Sequence, residues 1–155
     1  MARPASAVAT LFGLGHVPWA PGTWGSAVGL AIAKLAQAWP AGARWLALAA
    51  VFGIAVAAST RAERELGTID HSAIILDECW AMWFVTALVP SSLRAWPVTV
   101  AAFALFRAFD IVKPPPLKRL AQCPGGWGIV LDDLGAALYA AVLLHVWLAV
   151  WPNAR

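Results

Sequence analysis

Charge is what this sequence has least of. Lys, Arg, Asp and Glu make up 12% of its 155 residues, where soluble domains typically carry about 25%. The eight acids are also confined: none precedes Glu63 and none follows Asp133. The eleven Lys and Arg are dispersed rather than blocked and leave a net charge of +3, which argues against a nucleic-acid interface. Cysteine is scarce as well. Cys79 and Cys123 have neither metal-binding nor redox spacing and read as free thiols, so a disulfide framework is excluded. The N-terminus has one Arg and then Gly- and Pro-containing sequence instead of a clean apolar stretch, and no signal peptide is expected. No repeat and no second domain is visible, so residues 1–155 are expected to form a single membrane-embedded domain.

What fills the chain instead is apolar: 61% of residues, against about 45–50% in soluble domains. A compact soluble protein of this length could not bury that much apolar surface; lipid is the natural solvent for the excess. Ten tryptophans fit this environment. Trp19, Trp24, Trp39, Trp45, Trp96, Trp147 and Trp151 lie near the ends of apolar runs, where indole rings favour the headgroup level. Five apolar segments stand out, at 25–38, 43–59, 73–89, 95–112 and 133–151. A full span takes about 17–25 residues. The last four meet this length; the first is short and carries Lys34 and Gln37. The fold class expected is all-α, a polytopic bundle of four or five transmembrane helices.

Loop charges orient it. With five spans, Arg3, Arg61, Arg64, Lys113, Lys118 and Arg119 fall on one side, and Arg44, Arg94 and Arg155 on the other. The richer side is cytoplasmic by the positive-inside rule, and its basic residues suit anionic headgroups. In that arrangement every acid lies at or near the cytoplasmic ends of the third, fourth and fifth helices, or in the loop before them.

Asp77 and Glu78 lie inside the third apolar run. A carboxylate there costs about 2.5–3.5 kcal/mol on insertion scales and is functional by default. Asp70 precedes Asp77 by seven, so a helix extended back to Asp70 places both on one face. Asp110 closes the fourth helix and Asp132–Asp133 open the fifth. Hard oxygen ligands gathered from several helix ends suit Mg²⁺, which shares itself readily with a phosphate. Blander readings stand beside this one. Asp70 and Asp132 are equally readable as helix N-caps, Arg107 and Asp110 as a structural ion pair, and Glu63 and Glu65 as a solvated stretch among Arg61 and Arg64.

Four segments are patterned around these acids. In Gly13–Ser26, too rich in Gly and Pro for a helix interior, Gly22, Gly25 and the Thr23 and Ser26 hydroxyls could cradle a phosphate; the alternative is an interfacial turn anchored by Trp19 and Trp24. In Asp70–Glu78, His71 could orient or shuttle protons. In Phe106–Pro116, Pro114 stops the helix and fixes Asp110 near its end, while Arg107 and Lys113 are natural phosphate partners. In Gly125–Asp133, glycines permit close backbone approach. His145 lies deep in the last span and reads as a packing residue.

Taken together, Gly13-Leu-Gly…Ala20-Pro-Gly-Thr-Trp-Gly-Ser26, Asp70-His-Ser…Asp77-Glu78, Phe106-Arg-Ala-Phe-Asp-Ile-Val-Lys-Pro114 and Gly125-Gly…Gly128-Ile-Val-Leu-Asp-Asp133 resemble the phosphatidylglycerophosphatase A family in order and spacing, over about residues 11–135. The resemblance implies a Mg²⁺-dependent phosphatase of the bacterial inner membrane that makes phosphatidylglycerol. Cys79-Trp80-Ala81 stands where the family pattern has a small Val-Gly-like pair, a departure that bears on helix packing or substrate fit.

The expected chemistry is metal-assisted phosphomonoester hydrolysis. Asp77, Glu78, Asp132 and Asp133 hold one or two Mg²⁺, Asp70 or Asp110 completes the shell or acts as general base, and Arg107 and Lys113 bind phosphoryl oxygens. Direct attack by water and a covalent aspartyl-phosphate are both compatible with the motifs. The expected partner is a phospholipid in the bilayer; oligomeric state is not legible. A small cation transporter is the rival class, since intramembrane acids also mark ion paths, but a transporter places them near the midplane.

Overall fold

The computed structural model describes residues 4–89 and 96–150. Arg3, Arg94 and Arg155, used above for orientation, and Trp151 lie outside the described residues. The described chain is helical, with no strand among its elements: α1 (Pro4–Ala9), α2 (Pro21–Leu35), α3 (Ala41–Leu66), α4 (Leu76–Leu88), α5 (Trp96–Val112), α6 (Leu117–Leu120) and α7 (Gly126–Val150), with short 3₁₀ turns at Leu14–His16 and Ala36–Ala38.

Local chemistry sets the boundaries. Pro21 occupies the first turn of α2, where its fixed φ is pre-organised and its missing N–H costs nothing. α3 ends at Gly67, which adopts φ +76° and donates its N–H to the Glu63 carbonyl, a left-handed stop that glycine makes without strain. α5 ends at Val112, just before Lys113 and the run Pro114–Pro116, since a residue preceding proline is pushed out of the helical region.

α4 is the hub, packed against α2, α3, α5 and α7, and most of its residues are buried, including Met82 and Val85. Small residues let backbones approach. Gly25 of α2 lies over the Ile75 carbonyl, where an added Cβ would come within 2.6 Å, and Gly29 lies against the Cys79 carbonyl. α7 meets α3 through Gly126, whose N–H donates to Thr60 Oγ1 at 2.9 Å. Such small-residue contacts are the usual glue between helices in lipid. Trp80 fits by donating its indole N–H to the Leu48 carbonyl at 2.8 Å and stacking on Phe84, so its bulk is taken up between α3 and α4.

The expected set of four or five spans is met in part by helix length, and several other expectations are corrected. Two helices, α3 and α7, are long and apolar enough to cross a membrane by length and composition. α2 and α4, at 15 and 13 residues, reach only about 20–23 Å, short of a hydrocarbon core of about 30 Å. The Gly/Pro motif is not excluded from helix: α2 begins at Pro21 and takes in Gly22, Thr23, Gly25 and Ser26. The charged stretch is no loop, because α3 continues through Arg61, Glu63, Arg64 and Glu65. α7 begins at Gly126 rather than beside the aspartates, so Asp132 and Asp133 sit in its second turn and neither is an N-cap. α4 does not extend back to Asp70, which occupies a turn with φ +50°.

Candidate active site

A cavity of about 220 Å³ lies between α2, α4, α5 and α7, lined by Ala20, Pro21 and Gly22 at the start of α2, by Asp70, Ser72 and Ile74 in the turn before α4, by Asp77 and Glu78 in the first turn of α4, by Arg107, Asp110 and Lys113 at the end of α5, and by Ile129, Asp132 and Asp133 in α7. Each contribution traces to a local rule. The α3 stop at Gly67 turns the chain back over the bundle end, and Glu63 accepts the Asp70 N–H at 3.0 Å, which ties Asp70 to the cavity rim. The Ile75 N–H donates to the Ala9 carbonyl at 2.9 Å and fixes where α4 starts. The Pro114 stop leaves Lys113 just beyond α5, at φ +48°.

Ala20, Asp70 and Lys113 all have positive φ, uncommon for residues with a side chain, and all three line the cavity. Backbone strain of this kind, about 1–3 kcal/mol each, concentrates at functional sites.

The carboxylates fall into two groups. Oxygens of Asp77, Glu78 and Asp133 lie within 4.8 Å of one another, and so do oxygens of Asp110, Asp132 and Asp133. Asp77, Asp132 and Asp133 are only 6%, 3% and 3% exposed. Two cationic side chains reach them. Arg107 Nη1 is 2.6 Å from Asp110 Oδ2 and 3.8 Å from Glu78 Oε1, and Lys113 Nζ pairs with Asp132 Oδ2. Burial works against the Lys113 ammonium, but the hydrogen bond and charge of Asp132, with the charges of Asp70 and Asp110, outweigh it and raise its pKa above the ordinary lysine value.

Among the described residues, four buried carboxylate oxygens have no hydrogen-bond partner: Asp77 Oδ1, Glu78 Oε2, Asp132 Oδ1 and Asp133 Oδ2. Buried charges without partners are costly. A cluster of oxygen-only donors with orphaned atoms fits a hard divalent cation.

Asp70, Asp77, Glu78, Asp110, Asp132, Asp133, Arg107 and Lys113 thus meet in one place, although they come from three distant stretches of chain. Thr23 and Ser26 do not: neither lines the cavity, and the fully buried Ser26 hydroxyl donates to the Gly22 carbonyl at 2.8 Å, so helix α2 has already claimed it. Arg107 and Lys113 are paired with carboxylates rather than standing free, and the Arg107–Asp110 pair expected as a structural alternative is present. His71 accepts the Ala73 N–H through Nδ1 and shapes the turn. His145 Nδ1 lies 2.7 Å from the Ala141 carbonyl, in keeping with a packing role. Cys79 and Cys123 are free.

Two roles differ from the sequence reading, which took Glu63 and Glu65 as a solvated stretch and Gly22 as part of a phosphate cradle. Glu63 and Glu65 are more than solvated charges, since Glu65 Oε2 accepts the Ser6 N–H at 2.9 Å and Glu63 holds Asp70. Gly22 is the second. A Cβ there would meet Glu78 Oε1 and approach Arg107 Nη1 and Nη2 to 2.8 and 2.9 Å, so it forms the part of the wall against which those two side chains rest.

Comparison with known proteins bears on what such a cavity does. A family model described as phosphatidylglycerophosphatase A matches residues 7–148. A phosphatidylglycerophosphatase A of Haemophilus influenzae is 36% identical over 92% of this chain and 87% of its own length. One of Escherichia coli is 30% identical over 98% of this chain and 88% of its own. A Bacteroides thetaiotaomicron protein named "Putative phosphatidylinositol-3-phosphatase" is 35% identical over 90% of both chains. No solved structure matches.

Proposed function

Because this chain belongs to the phosphatidylglycerophosphatase A family, we propose that its cavity hydrolyses the terminal phosphomonoester of phosphatidylglycerophosphate, giving phosphatidylglycerol and phosphate. The observation that carries the reading is the convergence of six carboxylates, one arginine and one lysine on a single cavity. An acid-rich pocket with orphaned oxygens is a poor receptor for a phosphate by itself, but a good one for a phosphate arriving with a cation.

Mg²⁺ is the cation proposed, held by Asp77, Glu78, Asp132 and Asp133. When bound, it would neutralise phosphoryl charge and acidify water. The chain's own groups supply the rest. Asp70 stands exposed on the cavity wall, whereas Asp110 is held by Arg107; Asp70 is therefore the better placed to take a proton from the attacking water. Arg107 and Lys113 present cationic donors to the same space and orient the phosphoryl oxygens. The first turn of α2 closes the wall opposite with Ala20, Pro21 and Gly22.

We further propose that α2, α4 and α5 complete a bundle of four or five spans around α3 and α7, forming one membrane-embedded domain in the bacterial inner membrane with the cavity facing the cytoplasm. Their apolar composition and their packing on α4 and α7 support this, as does the placement of Arg61, Arg64, Lys118 and Arg119 at the cavity end. The transporter reading has no support: the acids gather at one end of the helices, and the relatives compared bear phosphatase names.

The test is phosphate release by purified protein from a panel of lipid monophosphates. Release from phosphatidylglycerophosphate with Mg²⁺, abolished by chelator, is expected. Exclusive release from a phosphoinositide, in line with the name of the Bacteroides relative, would overturn the substrate assignment. No release from any lipid in the panel would overturn the reading itself.

A further inference from the structure

We propose that the cavity is built for two divalent cations, with Asp133 shared between them. The inference deepens the phosphatase reading and rests on it for its chemical purpose.

Four observations point the same way. First, the ligating oxygens divide into two triads, Asp77–Glu78–Asp133 and Asp110–Asp132–Asp133, each with its oxygens within 4.8 Å. Each triad is compact enough to face one ion, and Asp133 is the only residue in both. Second, orphaned buried oxygens occur in both triads. Asp77 Oδ1 and Glu78 Oε2 belong to the first, Asp132 Oδ1 to the second, and Asp133 Oδ2 to the shared residue. A single ion among the first triad would leave Asp132 Oδ1 unanswered, and buried acceptors without partners are expensive.

Third, the cationic side chains take one oxygen and leave another. Lys113 takes Asp132 Oδ2 while Oδ1 stays free, and Arg107 approaches Glu78 Oε1 while Oε2 stays free. Arg107 also holds Asp110 Oδ2 at 2.6 Å, so one guanidinium grips a carboxylate of each triad and fixes the two groups relative to each other. Fourth, the charge balances. With all six carboxylates ionised, as ligation by cations requires, Arg107 and Lys113 would leave four negative charges, the number that two divalent ions neutralise. Two-ion phosphatases hold their metals about 3.5–4 Å apart, one on the attacking and one on the leaving oxygen, and a shared carboxylate is suited to that spacing. All donors are oxygens, so the ions are of the hard class, Mg²⁺ or Mn²⁺.

Mn²⁺ serves as the probe, because binding is then read without turnover. Full-length purified protein is dialysed against Mn²⁺; bound metal per chain and the paramagnetic resonance spectrum are recorded. Two Mn²⁺ per chain with an exchange-coupled spectrum are expected. Glu78→Gln and Asp110→Asn, which remove a ligand from one triad each, should each leave about one tightly held, uncoupled Mn²⁺, and Asp133→Asn should abolish coupling. Saturation of the wild type at one Mn²⁺ overturns the proposal, as does a coupled pair that survives in Asp133→Asn. The two readings fail separately. A coupled pair in a protein that releases phosphate from no lipid defeats the phosphatase assignment and keeps the two-ion centre, and phosphate release with a single bound ion does the reverse.

Discussion

Arg107 is the residue on which the site's geometry turns most. It pairs with Glu78 and Asp110 across two helices, and removing it strands two partly buried carboxylates. Loss of one partner of a buried pair costs about 3–5 kcal/mol where burial is complete; with both partners somewhat exposed, Arg107→Ala should cost less than that in stability but most of the activity. Arg107→Lys should recover little, because an ammonium lacks the planar fork needed to serve two carboxylates at once. Thermal unfolding and kcat/KM together check both statements. Gly22 acts by what it lacks. In Gly22→Ala the atoms nearest the new methyl are side-chain ends of Glu78 and Arg107 rather than backbone, so the helices should fold as before while kcat/KM drops by about 10²-fold, the scale of a 1 Å misplacement. An unchanged kcat/KM with unchanged circular dichroism would refute that role. The carboxylates themselves were legible in sequence, because an acid in an apolar run has few bland explanations. Asp70 was found for the wrong reason: its spacing of seven from Asp77 suggested a shared helix face, yet a left-handed turn held by Glu63 brings it to the cavity. Ser26 misled because a hydroxyl beside glycines looks free on paper, while in a helix the carbonyl four residues back is always within reach.

The elements divide into those that set spacing and those that carry chemistry. Gly25 and Gly29 of α2 press on the backbone of α4, which cannot yield as a side chain can. Gly29→Ala should therefore push the helices apart and lower both the unfolding temperature and activity, in contrast to Gly22→Ala, where only activity falls. Trp80 carries the opposite burden, filling the space between α3 and α4. Trp80→Phe keeps an aromatic face for Phe84 but removes the indole hydrogen bond to the Leu48 carbonyl, for a loss of about 1 kcal/mol seen as a lowered midpoint in unfolding of the detergent-solubilised protein. The existence and helical type of all five long elements could be read from apolar runs. Their ends were harder. Hydropathy marks where charge begins, whereas helices stop where backbone chemistry stops them: α3 runs through four charged residues to Gly67, and α7 starts at Gly126 because Thr60 receives its amide. The short length of α4 was masked in the same way, since apolar loop residues such as Ile74 and Ile75 extend a run without extending a helix.

At the scale of the whole molecule, cavity charge and folding are coupled. A cation that binds the native carboxylates and not the unfolded chain stabilises the protein by about 2.7 kcal/mol at one hundred times its Kd. The unfolding temperature of the purified protein should climb with Mg²⁺ concentration and fall on chelation, and this dependence should vanish in Asp133→Asn. A midpoint indifferent to Mg²⁺ would show that the carboxylates are satisfied some other way. The same architecture has a consequence for biosynthesis. Asp77 and Glu78 leave the ribosome before Arg107 exists, and before Asp132 and Asp133 can share an ion with them. A helix of 13 residues bearing two unanswered carboxylates is a poor substrate for insertion on its own. The proposed topology therefore predicts that α4 enters the bilayer together with α5, whose Arg107 answers Glu78.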